Sequence, residues 1–429
     1  MLSYSMKNFL FSLPILFRNG ITFILFYYFA DVLDKDTFGA FNLSFAYIVF
    51  LNSFLVLSLS SGFTRYFYEH DDGRYHLGFL LIVLGVISAN ALVVYSLRDN
   101  IFIDVLSHYS SLIIIVSVMS GLSELFLLKI RLDEKIRAFS VLNISILAIF
   151  MSLIFIFASD GLTLFEILLS YALQFSAVFI MFIFYLLRNT TLQTLTYIRD
   201  NASQYKKAVV FSLCILPGNF GYLLNDAVDK FVIADALTLG EVAIYSFTYQ
   251  LGFIFLFVFS VLVKTVFTPF VLQHYKKDTT IIIINRIIKY FTISYVSIFL
   301  LALWLKEFAY SYFECSYAAG STFLPMVMAA VFFAILSTFF VVSINLAEKP
   351  YFVPLIEVSS GVVNLILSLF LIPKYGIAGG FVSTYISLLF RMISYLVVGS
   401  LVYKKYKYNL LPVAIASLGM AAISINVAL

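Results

Sequence analysis

Long apolar runs alternate with short polar connections along the whole chain. Twelve such runs can be delimited, at about 9–30, 41–62, 77–97, 105–128, 138–158, 164–187, 208–234, 243–263, 287–305, 323–346, 351–372 and 379–402. A helix needs about 20 apolar residues to cross a bilayer core, whereas the strands of a membrane barrel give short segments of alternating polarity. The pattern therefore predicts an all-α polytopic membrane protein with twelve spans.

The two halves of the chain resemble each other weakly, which favours an internal duplication over the alternative that apolar helices look alike in general. The segment DTFGAFNLSFAYI (36–48) has the pattern of GEVAIYSFTYQL (240–251), and Pro14 and Pro217 precede these segments at almost the same distance. A repeat unit of six spans, which is an even number, gives both halves the same orientation in the membrane. Parallel repeats of this kind occur in transporters whose substrate binds between two lobes.

The duplication divides the chain into two predicted six-helix lobes, residues 1–200 and 201–408. The remaining segment, 409–429, is apolar and long enough to cross a membrane, but it contains Pro412 and many small residues. Hydropathy leaves two interpretations of this segment, a thirteenth span and a helix on the membrane surface.

The composition agrees with a membrane protein and gives an orientation. The 429 residues are 62% hydrophobic and 12% charged, whereas soluble domains are about half apolar and about a quarter charged. Twenty of the 27 basic residues fall on one side of the predicted topology and four on the other. Because cytoplasmic loops of membrane proteins carry an excess of Lys and Arg, this bias predicts a cytoplasmic N-terminus. The net charge of +4 thus reflects topology, and no nucleic-acid partner is expected.

No arrangement of residues in the sequence suggests catalysis. The two cysteines, Cys214 and Cys315, have neither metal-ligand spacing nor a plausible bridge. The HDDGRYH segment is interpreted as a solvated turn, and no glycine-rich phosphate loop with a lysine occurs. The first apolar run lacks a cleavage site and is interpreted as a retained helix. We expect a protein that is not an enzyme and has no metal or cofactor.

The seventh run carries charges that most of the other runs lack. At 100° per residue, one stripe of this helix collects four polar side chains, flanked by Asn225 and Asp229. The four are Asn219, Tyr222, Asp226 and Lys230. A charge in a span costs about 2.5–3.5 kcal/mol on insertion scales, so such residues face a cavity or a partner. The stripe predicts a hydrated interior, in which Asp226 and Asp229 are candidates for ion coupling. Lys230 alone also fits a position at the outer interface.

Arg18 is the corresponding charge of the first run. It lies past Pro14 and, by the repeat offset, takes the place of Tyr222. We therefore expect Arg18 and Lys230 to face each other across a central cavity. The alternative is a structural arginine that donates to a carbonyl at a helix end.

Other charged residues near the spans have less specific interpretations. Arg391 lies in the middle of the twelfth run with Glu357 as a potential partner, and a structural role fits this pair as well as a functional one. Arg65 is expected at the cytoplasmic mouth, as a topology anchor or as a contact to a lipid phosphate. Glu124 and Glu166 lie in or near the membrane without an assigned role.

Three segments carry a resemblance to polysaccharide-export flippases. They are DKFVIADALTLGEVAIYSFTYQLG (229–252), SGFTRYFYE (61–69) and NLILSLFLIPKYGIAGGFVSTYIS (364–387). The chain resembles the O-antigen (Wzx-type) branch of the multidrug/oligosaccharidyl-lipid/polysaccharide exporter superfamily over almost its whole length. The resemblance implies a MATE-like fold of two lobes. The stretch after residue 408 departs from the pattern.

The same resemblance implies a function in surface-polysaccharide and lipopolysaccharide assembly. Members of this branch flip an undecaprenyl-diphosphate-linked oligosaccharide across the bacterial inner membrane, among membrane lipids and other polysaccharide-assembly proteins. A cavity with Arg18 and Lys230 suits the negative diphosphate. Tyr222, Asn219, Arg65 and Arg391 are the further candidates for binding this substrate.

Two other functions are weighed against the flippase. An ion-coupled multidrug exporter of the same superfamily is the nearer alternative, and a cationic cavity argues against it because such exporters take cationic drugs. A membrane polymerase of polysaccharide assembly is an enzyme and would require a large external loop with catalytic groups. No predicted connection is long enough for such a loop.

Overall fold

The computed structural model describes the chain except for residues 1–3, 71–72, 160, 264–266, 275–278, 313–316, 404–407 and 429. Cys315 and part of the HDDGRYH turn therefore lie outside the described residues. Regular structure in the described part of the chain is helical. Twelve of its helices are long and apolar enough to cross a membrane, which confirms the predicted fold class.

The chain divides into two compact units, Met1–Asn219 and Phe220–Leu429. The helices that begin in unit 1 are α1 (Tyr4–Val32), α2 (Lys35–Val56), α3 (Leu59–Tyr66), α4 (Gly73–Ser96), α5 (Arg98–Ile101), α6 (Ser110–Leu132), α7 (Ile136–Phe157), α8 (Leu164–Asn189), α9 (Leu192–Asp200) and α10 (Ala202–Ala236). The last of these, α10, runs through Pro217 and contains the boundary between the units.

Unit 2 contains the end of α10 and seven further helices. These are α11 (Leu239–Leu262), α12 (Thr268–His274), α13 (Thr279–Tyr312), α14 (Leu324–Leu346), α15 (Phe352–Tyr375), α16 (Ile377–Val402) and α17 (Leu411–Ala428). Short 3₁₀ helices at Asp104–Tyr109 and Ala318–Phe323 precede α6 and α14.

Local sequence explains where several helices begin and end. The Asp34 carboxylate caps α2 by accepting from the backbone N–H groups of Asp36 and Thr37, at 3.1 and 3.0 Å. Hydrogen bonding from the Thr37 side chain, followed by its backbone N–H, holds the pKa of Asp34 below its ordinary value. The Gly376 turn between α15 and α16 has φ 64°, and the Gly161 turn between α7 and α8 has φ 90°. Glycine adopts these angles without the strain of a Cβ atom.

The second predicted run, 41–62, is divided in the structure. Helix α2 ends at Val56, and α3 begins at Leu59 after two left-handed residues. Those residues, Leu57 and Ser58, have φ values of 48° and 57° without being glycine. A left-handed conformation costs such residues about 1–2 kcal/mol each, so the surrounding structure must hold the break in place.

In unit 2 the backbones of α10 and α15 approach each other closely. A Cβ atom added at Gly221 of α10 would overlap the carbonyl carbon of Glu357 in α15. One added at Gly361 would lie 2.5 Å from the carbonyl oxygen of Gly221. These two glycines let the α10 and α15 backbones touch. The contact brings the polar residues of α15 to the charged stretch of α10.

Helix α17, in the C-terminal segment, packs against α13, α14 and the 3₁₀ helix Ala318–Phe323. Val413 and Met420 are buried in this contact, whereas Leu411, Ile415 and Leu418 are exposed. The helix therefore has one packed face and one exposed apolar face.

Candidate functional site

A polar cavity of about 390 Å³ lies within unit 1. It contains two arginines, one carboxylate and several amides and hydroxyls. Its lining residues are Ile15, Arg18, Asn52, Ser53, Val56, Ser58, Ser60, Gly121, Glu124, Leu125, Leu127, Leu128, Arg131, Phe139, Asn143 and Asn219. Polar and ionisable groups are costly inside a membrane and mark functional pathways, so this cavity is the candidate substrate site.

The break between α2 and α3 forms one wall of the cavity. Val56, Ser58 and Ser60 flank the break and line the space. The Asn219 amide donates to the Ser58 hydroxyl over 2.8 Å, which ties α10 to the strained segment. Backbone strain of this kind persists where the surroundings determine it and is common at functional sites.

Helix α6 forms a second wall through residues that recur on one face. Gly121, Glu124, Leu128 and Arg131 follow the spacing of three to four residues that places side chains on one stripe. The stripe runs from Gly121 to Arg131, which is about 15 Å along the helix axis. On the predicted topology Arg131 is at the cytoplasmic end of this stripe and Gly121 is deeper in the membrane.

Arg18 is half-buried and lines this cavity from α1. Its backbone carbonyl accepts from the Thr22 hydroxyl at 2.9 Å. Within the described part of the chain its guanidinium has no ion-pair partner within 4.0 Å, although the Glu124 carboxylate lies within Coulombic range. Arg18 and Asn219, both predicted as site residues, thus line one cavity.

A second polar cluster, in unit 2, surrounds the Asp229 carboxylate. Asp229 is buried on α10 and accepts hydrogen bonds from side chains on three other helices. The Tyr245 hydroxyl of α11 donates over 2.7 Å and the Thr384 hydroxyl of α16 over 2.5 Å. The remaining donors are the Ser368 hydroxyl, the Ser383 hydroxyl at 3.2 Å and the Asn364 amide at 3.3 Å.

One acceptor in this cluster lacks a partner. The Asn364 side-chain oxygen is buried and makes no hydrogen bond in the described structure. The Gly380 carbonyl belongs to the same network, because it accepts from the Ser383 and Thr384 hydroxyls. Because buried polar atoms are nearly always satisfied, this oxygen is a candidate ligand for a group that is not part of the protein chain.

The rest of the predicted stripe on α10 is less enclosed. Tyr222 is 45% exposed, and Asp226 and Lys230 are half-buried. Asp226 and Lys230 are four residues apart on the helix, a spacing that allows an ion pair, and they lie within Coulombic range of each other. No ion pair between them is formed among the described contacts. Their side chains therefore remain available to other partners.

Arg391 pairs with Glu357, as the sequence suggested. The Arg391 guanidinium lies 3.4 Å from the Glu357 carboxylate, and the Tyr395 hydroxyl donates to the same carboxylate over 2.7 Å. Both ionic side chains are largely buried, and the Arg391 Nε is without a partner in the described structure.

Arg65 lies near the end of α3 with its side chain 54% exposed. It pairs with Glu69 one turn later and lies over the Tyr66 ring at 5.4 Å. Arg65 does not line the cavity of unit 1. This exposed position fits both interpretations from the sequence, a topology anchor and a contact to a lipid phosphate.

Sequence reasoning missed several residues of both clusters. In the sequence Arg131 is only one of the twenty basic residues on the predicted cytoplasmic side, and the amides of Asn52 and Asn143 do not stand out. The ligands of Asp229 had a weak signal, since Asn364 and Ser368 are polar residues four apart in an apolar run. The predicted meeting of Arg18 with Lys230 stays a prediction, because the former lies in unit 1 and the latter in unit 2.

The fold is that of a known class of membrane transporters. Of the solved structures, the lipid II flippase MurJ in an inward closed conformation matches with a TM-score of 0.70 and 15% identity, over 97% of this chain and 92% of that one. A mutant of the MATE transporter VcmN from Vibrio cholerae matches with 0.58 and 16% identity over 94% and 96% of the two chains.

A further match comes from a MOP superfamily transporter of Pyrococcus furiosus. It has a TM-score of 0.56 and 13% identity over 94% of this chain and 97% of that one. No protein-family model and no curated protein sequence matches the chain. At these identities the likeness shows a fold shared with MurJ and the MATE transporters.

Proposed function

We propose that the protein is a flippase for an undecaprenyl-diphosphate-linked oligosaccharide, a repeat unit of O-antigen or another surface polysaccharide. It works by alternating access, in which the binding site opens to one face of the bacterial inner membrane at a time, with the N-terminus in the cytoplasm. The observation that carries the proposal is the polar cavity of unit 1, with Arg18 inside the membrane. The likeness in fold to a lipid II flippase supports the same class of lipid-linked substrate.

The charges and polar groups of the cavity fit such a substrate. A diphosphate diester carries two negative charges, and Arg18 and Arg131 supply two positive ones. Guanidinium groups bind phosphate through paired N–H donors, which favours arginine at these positions. Asn52, Asn143 and Asn219 supply amide donors and acceptors for the sugar hydroxyls.

The other predicted binding residues act outside the unit 1 cavity under this proposal. Lys230, Tyr222 and Arg391 contact the substrate at a later stage of its passage. Arg65 attracts the phosphate at the cytoplasmic entrance. These roles are supported by the exposure of Tyr222, by the lack of an ion-pair partner for Lys230 within 4.0 Å among the described residues, and by the Arg391 Nε, which has no partner in the described structure.

Asp229 is the proposed site of the coupling cation. A carboxylate, four hydroxyls, an amide oxygen and a carbonyl form a group of oxygen atoms, which are the ligands that hard cations prefer. Sodium fits this group, and a proton on Asp229 is the alternative. Asp226 lies within Coulombic range and contributes negative charge.

A transport assay distinguishes the flippase from a multidrug exporter of the same fold. Purified full-length protein is reconstituted into vesicles that contain a fluorescent undecaprenyl-diphospho-sugar, and parallel vesicles contain a cationic dye. We expect the labelled sugar to cross the bilayer at least about 10-fold faster than in protein-free vesicles, because the cavity presents cations to the diphosphate. Dye transport without lipid translocation would favour the exporter.

A further inference from the structure

We propose that Glu124 is an exchangeable counter-ion of Arg18 that promotes release of the substrate, an inference that rests on the proposed function. Glu124 is the one carboxylate among the residues lining the cavity, and it is exposed to that space. It lies within Coulombic range of Arg18. In the described structure no hydrogen bond or ion pair holds Glu124 elsewhere.

The Glu124 carboxylate and the diphosphate of a substrate would compete for the positive charge of Arg18. Arg18 from α1 and Arg131 from α6 are the cations lining the cavity, while α2, α3, α7 and α10 contribute uncharged side chains. In the empty cavity the Glu124 carboxylate offsets the charge of Arg18. When a diphosphate enters, phosphate and carboxylate compete for the same guanidinium, and their negative charges repel each other.

This competition weakens binding and speeds release. Transport requires a site that binds well enough to load and weakly enough to empty. Two arginines in a low-dielectric cavity would otherwise hold a diphosphate tightly. The carboxylate returns to Arg18 as the phosphate leaves, so the positive charge of Arg18 is compensated both before and after release.

The test removes the charge of Glu124 and keeps its shape. Purified full-length Glu124→Gln protein is titrated with farnesyl-diphospho-N-acetylglucosamine, a short diphosphate diester. We expect the dissociation constant to fall about 10-fold and the maximal translocation rate to fall as release slows. Glu124→Asp should restore both values towards wild type. Asp200→Asn, which removes an exposed charge on α9, is the matched control and should change neither.

The outcomes separate this inference from the proposed function. Unchanged or weaker binding by Glu124→Gln overturns the counter-ion role while leaving the flippase intact. Tighter binding without slower translocation also overturns the role in release. Failure of the wild-type protein to bind the probe overturns the proposed function itself. A merely structural glutamate would not tighten binding when neutralised.

We also infer, from separate contacts in unit 2, that α17 crosses the membrane as a thirteenth span. Just before α17, the Tyr408 ring packs on Phe340 with centroids 5.0 Å apart, and its hydroxyl bonds to Ser343. Both partners lie near the C-terminal end of α14. Yet α17 also contacts the 3₁₀ helix Ala318–Phe323, which precedes the opposite end of α14.

Helix α17 starts beside the C-terminal end of α14 and reaches the 3₁₀ helix that precedes α14. It therefore runs antiparallel to α14. The 18 residues of α17 give about 27 Å of helix, close to the thickness of a bilayer core of about 30 Å. Residues 408–429 contain no charged side chain, and the face of α17 that does not pack is apolar. The C-terminus therefore lies on the opposite side of the membrane from the end of α16.

Two epitope tags test the crossing. One is inserted after Val402 and one is placed after Leu429, each in an otherwise full-length chain in intact cells whose outer membrane has been made permeable. We expect antibody to reach the C-terminal tag and not the inserted one. The reverse pattern supports the crossing and overturns the predicted orientation. Equal access of antibody to both tags overturns the thirteenth span.

Discussion

Replacing Arg18 with alanine is expected to abolish surface-polysaccharide export, with a loss of about 100-fold. Arg18 is the cation that lies inside the membrane in the unit 1 cavity and has no ion-pair partner within 4.0 Å among the described residues. A charge-assisted hydrogen bond contributes about 1.5–3 kcal/mol, and a loss of about 2.7 kcal/mol corresponds to about 100-fold in affinity. The measurement is polymer at the cell surface in a deletion strain complemented with each variant.

Two further variants define what Arg18 contributes. Arg18→Lys keeps the charge but loses the planar guanidinium, which can donate two parallel hydrogen bonds to a phosphate. We therefore expect partial export. Arg199→Ala removes an arginine whose side chain is 81% exposed on α9, and it should export as wild type does. Immunoblots must show equal amounts in the membrane. Normal export by Arg18→Ala would leave the cationic cavity without a role.

Replacing Asp229 with asparagine is expected to uncouple transport from the ion gradient. The substitution preserves shape and removes the charge that we propose binds the cation, so we expect the translocation rate to fall at least about 10-fold. The remaining rate should not respond to an imposed sodium or proton gradient. The measurement is translocation of the labelled lipid in vesicles with each gradient applied in turn, which also distinguishes sodium from protons for the wild-type protein.

The matched control for this variant lies on the same helix. Asp235 is exposed near the end of α10, so Asp235→Asn removes a carboxylate without affecting the buried cluster. We expect it to keep its response to the gradient. If Asp229→Asn responds to the same gradient as wild type, the coupling site is elsewhere.

The spans could be predicted from sequence because each one is defined by the hydropathy of a single continuous segment. A run such as 323–346 is apolar throughout and becomes α14 with almost the same bounds. The break after Val56 could not be predicted in this way, since Leu57 and Ser58 are neither glycine nor proline. Their left-handed conformations depend on contacts such as that from Asn219, which is distant in sequence.

In the candidate site, too, single charged residues could be predicted from their own segment, but their partners in the fold could not. Arg18 and Asp229 stand out because a charge in an apolar run is costly wherever it occurs. Their partners do not stand out, because Asn52, Ser368 and Thr384 are ordinary polar residues until packing brings them together. Arg131 does not stand out as a site residue, because basic residues are common at the cytoplasmic ends of spans.

The central claim, that the cavity of unit 1 receives the diphosphate head of a lipid-linked sugar, is tested most directly by photo-crosslinking. A photoreactive amino acid is placed at Asn52, which lines the cavity, or at Phe155, which is 82% exposed. We predict that the Asn52 position captures the labelled head group and that excess undecaprenyl diphosphate, but not undecaprenol, prevents this. Equal capture at both positions, or capture that undecaprenyl diphosphate does not reduce, would contradict the claim.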